Sequence, residues 1–332
     1  MFLRTDRMNL RTSLKQSLRP LAFRLRKVAD RVRHTVRPPQ AWDGRHHPAV
    51  QRIEPWKGRA DGRFCHDFLG IKTDARFRPH FHPDPAGPLE TRRPTPYAGY
   101  FELAFILDAI AAAADAENFT MLELGAGYGP WLVTTHRARQ LSAQRAIRLV
   151  GVEMVAQHFR WMHEHLANNG IDVREHRLIE AAVSDTDGEA FYRPEDDPWL
   201  DFGQSVARRC GVSRDDSVDT EDSNNDAAGQ IRVRAIGLSG LLRDLGQVDL
   251  MHADMQGEEG RAFPAAIEEL TRRVGRLIVA THSRSIHRRL RRLLVQAGWE
   301  IVFDFRCHKW ERTEYGDVKF LDGLLAAVNL SR

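Results

Sequence analysis

A chain of 332 residues with 42% hydrophobic residues and a net charge of +4 suits one large domain with appendages and a sizeable core. No run approaches the ~18 consecutive apolar residues of a membrane span, and the N-terminal stretch lacks the apolar core of a secretory signal. Three scattered cysteines, Cys65, Cys210 and Cys307, form neither a metal spacing nor a disulfide framework, so a cytoplasmic setting is expected.

Residues 1–40 hold eleven Lys and Arg against two Asp. Leu10, Leu14, Leu18, Leu21, Leu25, Val28, Val32 and Val36 recur at helical spacing, which predicts one apolar face with arginines around it. Pro20 allows a second helix start, and Pro38-Pro39 ends the pattern. A basic amphipathic face over residues 8–36 suits peripheral contact with an anionic membrane surface. Docking on its own domain and a mobile tail are the other readings. Nucleic acid is disfavoured, because no aromatic residues are interleaved for base stacking.

Residues 41–97 are rich in Pro, His, Arg and Gly and are expected to form an irregular cap region. Cys65 to Thr73 predicts one short strand or turn. His80, His82 and Asp84 look ligand-like, but Pro79, Pro83 and Pro85 favour a surface loop. Residues 98–117 read as a helix, with Phe101, Ala104, Phe105 and Leu107 apolar. Tyr100 and Glu102 lie near its start and are candidates for the pocket side.

The segment Phe119-Thr-Met-Leu-Glu-Leu-Gly-Ala-Gly-Tyr-Gly-Pro-Trp131 reads as a buried strand, a glycine turn and a helix start. Gly125, Gly127 and Gly129 permit positive φ and close approach of a ligand to the backbone. Glu123, at the strand's C-terminal lip, is placed to meet a positively charged ligand group. A second apolar strand, Arg148 to Met154, ends in Glu153, where an acid would bind the two hydroxyls of a ribose. A helix over residues 155–169 follows, closed by Asn168-Asn169-Gly170.

His176 to Asp185 predicts a third strand and its exit, and Gly188 to Tyr192 a hairpin strand. Residues 193–230 lose apolar content and gain acids, as an insertion or substrate lid would. Val248-Asp-Leu-Met-His-Ala-Asp-Met-Gln-Gly-Glu-Glu259 is again strand, polar turn and helix start. Arg276 to Ser283 is a further strand ending in His282, followed by a basic helix over residues 285–296. Trp299 to Phe305 and Phe320 to Val328 predict a closing antiparallel pair.

The G-x-G-x-G turn with its upstream acid resembles motif I of class I S-adenosylmethionine methyltransferases. Over roughly residues 65–328 the chain resembles the FkbM-type methyltransferase family, on Glu123-Leu-Gly-Ala-Gly-Tyr-Gly, Glu153 and Asp254-Met-Gln-Gly-Glu-Glu259. That family usually shows Asp-x-Glu-Gly-x-Glu in the last block, and Gln256 replaces its first Glu here. The resemblance implies a Rossmann-like α/β fold, with a seven-stranded, mostly parallel sheet and helices on both faces. The basic N-terminal helix is an addition to it, and residues 98–332 are its domain.

The resemblance also implies S-adenosylmethionine as cofactor and methylation of a hydroxyl on a sugar, a polysaccharide precursor or a secondary metabolite. Cofactor contacts are expected at Glu123, Gly125, Ala126, Gly127, Gly129, Glu153 and Met154. The end of the third strand, with Ala181 and Ala182, is the adenine side, and Asp254 lies toward the methyl group's destination. His282 and Asp254 are the candidates for catalysis. Tyr100, Gln256 and Glu259 are substrate-side candidates. A divalent metal at Asp254 is a weaker expectation, because Gln256 is uncharged. The alternatives are an NAD-dependent oxidoreductase, which needs a different glycine spacing, and a non-catalytic module in a surface-polysaccharide complex.

Overall fold

The computed structural model describes residues 40–142, 145–194 and 229–332. The predicted basic helix over residues 1–40 falls outside the described residues except at Gln40, and so does most of the acidic insertion. By compactness the chain divides into two units. The small one, Met1–Gly44 with Arg312–Asp317, is tied among its described residues by the Gln40 amide donating to Asp317 Oδ2 at 3.1 Å. The Asp317 amide in turn donates to the Gln40 carbonyl at 2.8 Å. The large unit, Arg45–Glu311 with Val318–Arg332, includes the stretch read as a cap region from residue 45 onward.

The large unit is built on a sheet of seven strands. They are β1 (Thr120–Leu124), β2 (Arg148–Glu153), β3 (Arg177–Glu180), β4 (Val248–Ala253), β5 (Val274–Thr281), β6 (Trp299–Phe305) and β7 (Gly323–Asn329). Their order across the sheet is 6-7-5-4-1-2-3. β7 runs antiparallel to β5 and β6, and the other pairings are parallel. This is the class I methyltransferase order. The chain reverses direction across the sheet between β1 and β4, and ligands of open α/β sheets bind beyond the strand ends at such a point.

Alternation along the strands sends side chains to two faces. Leu122, Leu124, Val150, Val152, Met251 and Ala253 join one apolar core. That core is covered by α4 (Leu238–Leu245), α5 (Glu259–Arg273) and α6 (Arg284–Gln296), which pack on one another. Each fully buried Leu or Val contributes about 1.5–3 kcal/mol. The opposite face is covered by α1 (Ala98–Ala112), α2 (Pro130–Ser142) and α3 (Ala156–Asn168). Gly151 lets α2 and α3 press close, since a Cβ there would collide with Met162 and Leu132.

Small sheets surround this frame. Phe64–His66 and Lys72–Asp74 form a hairpin where one strand or turn was expected. Asn169 fastens it to α3, accepting from the Lys72 amide at 2.8 Å and donating to its carbonyl at 2.9 Å. Ala182–Ser184, Ile231–Gly237 and Gly188–Tyr192 make a three-stranded sheet, and its strand Ile231–Gly237 was not anticipated from sequence. Among the described residues no helix is long and apolar enough to cross a membrane.

Candidate functional site

The strand ends are laced together by backbone. The Ala126 amide donates to Val152 O at 3.0 Å, Asp254 N to Leu124 O at 2.9 Å, and Ala181 N to Glu153 O at 3.0 Å. Gly125 has φ of 67°. A Cβ there would fall on the Asp254 carbonyl oxygen, so the turn after β1 and the exit of β4 touch only because the residue is glycine. A cavity of about 500 Å³ opens along these ends, within the size range of small-ligand sites.

Most residues expected at the cofactor line this cavity: Glu123, Gly125, Ala126, Gly127, Glu153, Met154, Ala181, Ala182 and Asp254. Gly129 does not. Its φ of 71° turns the chain into α2, and a Cβ there would crowd Met162. The cap contributes Asp67, Ile71, Thr73, Arg78 and Phe81 to the lining.

Glu153 Oε2 accepts from the Gly127 amide at 2.7 Å, and Oε1 from the Val155 amide at 2.8 Å. The Met154 amide also bears on this carboxylate, so backbone donors hold it in place at the end of β2. Burial pushes this carboxyl up to about 7, against the pull of its backbone donors. Glu123 was expected to meet a cationic ligand group. In the structure it is 1% exposed, and its Oε2 accepts from the Leu132 amide at 2.9 Å, in the first turn of α2. Burial raises it to about 8.

Parallel register sets His252 of β4 directly beside Glu123 of β1. The His252 ring lines the cavity and lies near the Trp131 indole, centroids 5.7 Å apart. Its Nε2 is 3.2 Å from Glu102 Oε2, while its buried Nδ1 has no hydrogen-bond partner. Burial lowers the proton affinity of this ring, but the Glu102 hydrogen bond and the nearby carboxylates outweigh that and raise it overall. Sequence reading passed over His252. The available signal was a polar residue in an apolar strand two positions before Asp254, as Glu123 stands two before Gly125.

His282, the expected base, has a different setting. Its Nδ1 is 2.9 Å from Glu259 Oε1, and its Nε2 is 3.2 Å from Asp254 Oδ1. Burial opposes its charge, but these carboxylates prevail and push it up to about 10. A ring protonated at neutral pH has no lone pair with which to take a proton, and His282 is not among the cavity-lining residues. Glu259 is fully buried and also accepts from the Gly257 amide at 2.9 Å, so it braces the turn instead of facing substrate. Tyr100 is fully buried too, with its hydroxyl accepting from the His47 amide at 2.6 Å. Its neighbours Tyr97, Gly99 and Glu102 line the cavity in its place.

Gln256 does line the cavity, and its amide donates to Asp254 Oδ1 at 2.8 Å. For Asp254, burial is outweighed by His282 and Gln256, which hold the carboxyl below its usual range. Among the described residues no cluster of three or more His, Cys, Asp and Glu side chains is arranged to hold a metal ion.

No protein-family model matches the chain. It is 26% identical over 239 residues, 72% of this chain and 82% of the relative, to a protein of Jannaschia sp. (strain CCS1) whose name provisionally calls it a methyltransferase. The methyltransferase FkbM of Methylobacillus flagellatus KT aligns with 64% of this chain and 44% of its own, at 11% identity and a TM-score of 0.39. The ribosomal protein L11 methylase of Lactobacillus delbrueckii subsp. bulgaricus aligns over 69% of this chain and 78% of its own, at 13% identity and a TM-score of 0.35. Likenesses this distant decide neither family nor substrate. The strand order and the sequence relative point the same way, to a methyltransferase.

Proposed function

We propose that the protein is an S-adenosylmethionine-dependent methyltransferase of FkbM type that methylates a hydroxyl of a sugar, a polysaccharide precursor or a secondary metabolite. The observation that carries the reading is how Glu123 and Glu153 are used. Glu123 occupies the first turn of α2, where a dinucleotide's pyrophosphate would have to sit. That argues against an NAD-dependent oxidoreductase. Glu153 is a carboxylate on the cavity wall beside the Gly127 backbone, a setting that suits ribose hydroxyls. Met154, Ala181, Ala182 and Val183 supply an apolar wall suited to adenine.

When bound, S-adenosylmethionine supplies a methyl group already activated by its sulfonium. The protein then has to align an acceptor oxygen with that methyl and exclude water. Asp254, at the exit of β4, is the cavity-lining acid nearest that task. His282 holds Asp254 in place through its ion pair, and Gly257, at φ of 107°, allows the sharp turn into α5. Asp254, Gly257 and Glu259 match the FkbM-type block, and Gln256 substitutes an amide donor for its first acid. The acceptor is read as a small molecule or glycan.

Calorimetry with S-adenosylmethionine, S-adenosylhomocysteine and NAD tests the reading. Uptake of the first two and not the third is expected. Uptake of NAD, or of no nucleoside by folded protein, overturns it.

A further inference from the structure

We propose that Glu102 and His252 form the pair that takes the proton of the acceptor hydroxyl, with His252 Nδ1 as the receiving atom. The proposal rests on the methyl-transfer reading above. Glu102, from α1, and His252, from β4, both line the cavity. A carboxylate only accepts, so its contact with Nε2 at 3.2 Å places the ring proton on Nε2. The neutral ring then carries its lone pair on Nδ1, the nitrogen that the protein leaves without a partner. Burying such an atom is costly unless a ligand completes it.

The ring is 3% exposed and its Nδ1 is shielded, so an acceptor hydroxyl must displace a neighbour to reach it. The titratable groups facing it are Glu102 of α1, Glu123 of β1 and Asp254 beyond β4, while α2 presents the Trp131 indole. These acids raise its proton affinity against burial, so its basic form gains as pH rises through that elevated value.

In the step, the acceptor O–H bond breaks and its proton passes to Nδ1, giving an imidazolium whose Nε2–H already meets Glu102. The oxygen's electron pair forms the new bond to the methyl carbon, and the C–S pair returns to sulfur.

The test uses the full chain. Nitrogen-15 imidazole spectra, with His252→Asn to assign the signal, should show the Nε2–H tautomer at high pH. Glu102→Gln should lower the titration midpoint by about one unit. An Nδ1–H tautomer overturns the proposal, as does a midpoint indifferent to Glu102→Gln, and the wild-type tautomer decides if that variant does not fold. In a second arm, methyl-labelled S-adenosylmethionine is incubated with source-cell extract and the products are read by mass spectrometry. His252→Asn should cut transfer about 100-fold or more with cofactor affinity unchanged in calorimetry. Unchanged transfer overturns the base, and if wild type labels nothing the tautomer decides alone. Wild type that binds no S-adenosylmethionine sinks the methyl-transfer reading itself, whereas the tautomer separately reports the pair.

Discussion

Two histidines stand near adjacent strand ends, and their surroundings give them opposite characters. His282, just past β5, has Glu259 Oε1 2.9 Å from Nδ1 and Asp254 Oδ1 3.2 Å from Nε2, and these acids push it up to about 10. His252, in β4, touches one carboxylate at Nε2 and nothing at Nδ1. The lesson is that a strand-end address does not decide what a histidine does. The carboxylates placed at its ring nitrogens do.

The comparison breaks first if the turn that brings β1 to β4 is spoiled. Gly125→Ala forces a side chain at positive φ into the Asp254 carbonyl. It is expected to cost about 3 kcal/mol and to abolish nucleoside uptake in calorimetry. The next largest effect separates the histidines directly. His282→Ala leaves two carboxylates without their cation and should lower stability in denaturant melts by about 3 kcal/mol at pH 7. Its folded-state value lies above the ordinary 6.5, so its contribution is complete below that pH and fades as pH climbs through about 10. The wild type should therefore weaken more steeply across that window than His282→Ala does. His252→Asn should leave the share that His282 contributes in place.

A smaller effect tests the departure at Gln256. Gln256→Glu removes the donor to Asp254 Oδ1 and sets two acids together, for a loss of about 1 kcal/mol and a raised Asp254 titration midpoint by carbon-13 spectroscopy. The smallest concerns Glu123. Its folded value is raised from 4.5 to about 8, so the ligand-free protein loses stability as pH rises across that interval. Glu123→Gln keeps an oxygen for the Leu132 amide and should flatten the decline, visible as a modestly higher melting temperature at pH 8.

Much of the frame was legible in advance. Short apolar runs ending in Glu123, Glu153 and Asp254 announced three strand ends of one sheet, because alternation and glycine punctuation are local properties. Tyr100 and Glu102 illustrate what was not. They lie two residues apart in the first turns of one helix, and only packing decides that Tyr100 enters the core while Glu102 reaches the cavity. His252 escaped notice because its meaning depends on register with Glu123 and on a carboxylate from α1, both long-range facts. The setting of His282 was hidden for the same reason, since both its acids come from the stretch that leads from β4 into α5. The strand Ile231–Gly237 was hidden beside an acidic stretch of low apolar content.

The edge pairing of Tyr192 with Ile231 carries a consequence for variation. Chain departure and return sit opposite each other on one rung of a peripheral sheet, in which the strand Ala182–Ser184 contributes Ala182 and Val183 to the cavity. Whatever length is spliced there is closed off by an antiparallel pair, so a tight hairpin turn could replace it at little cost in closure entropy.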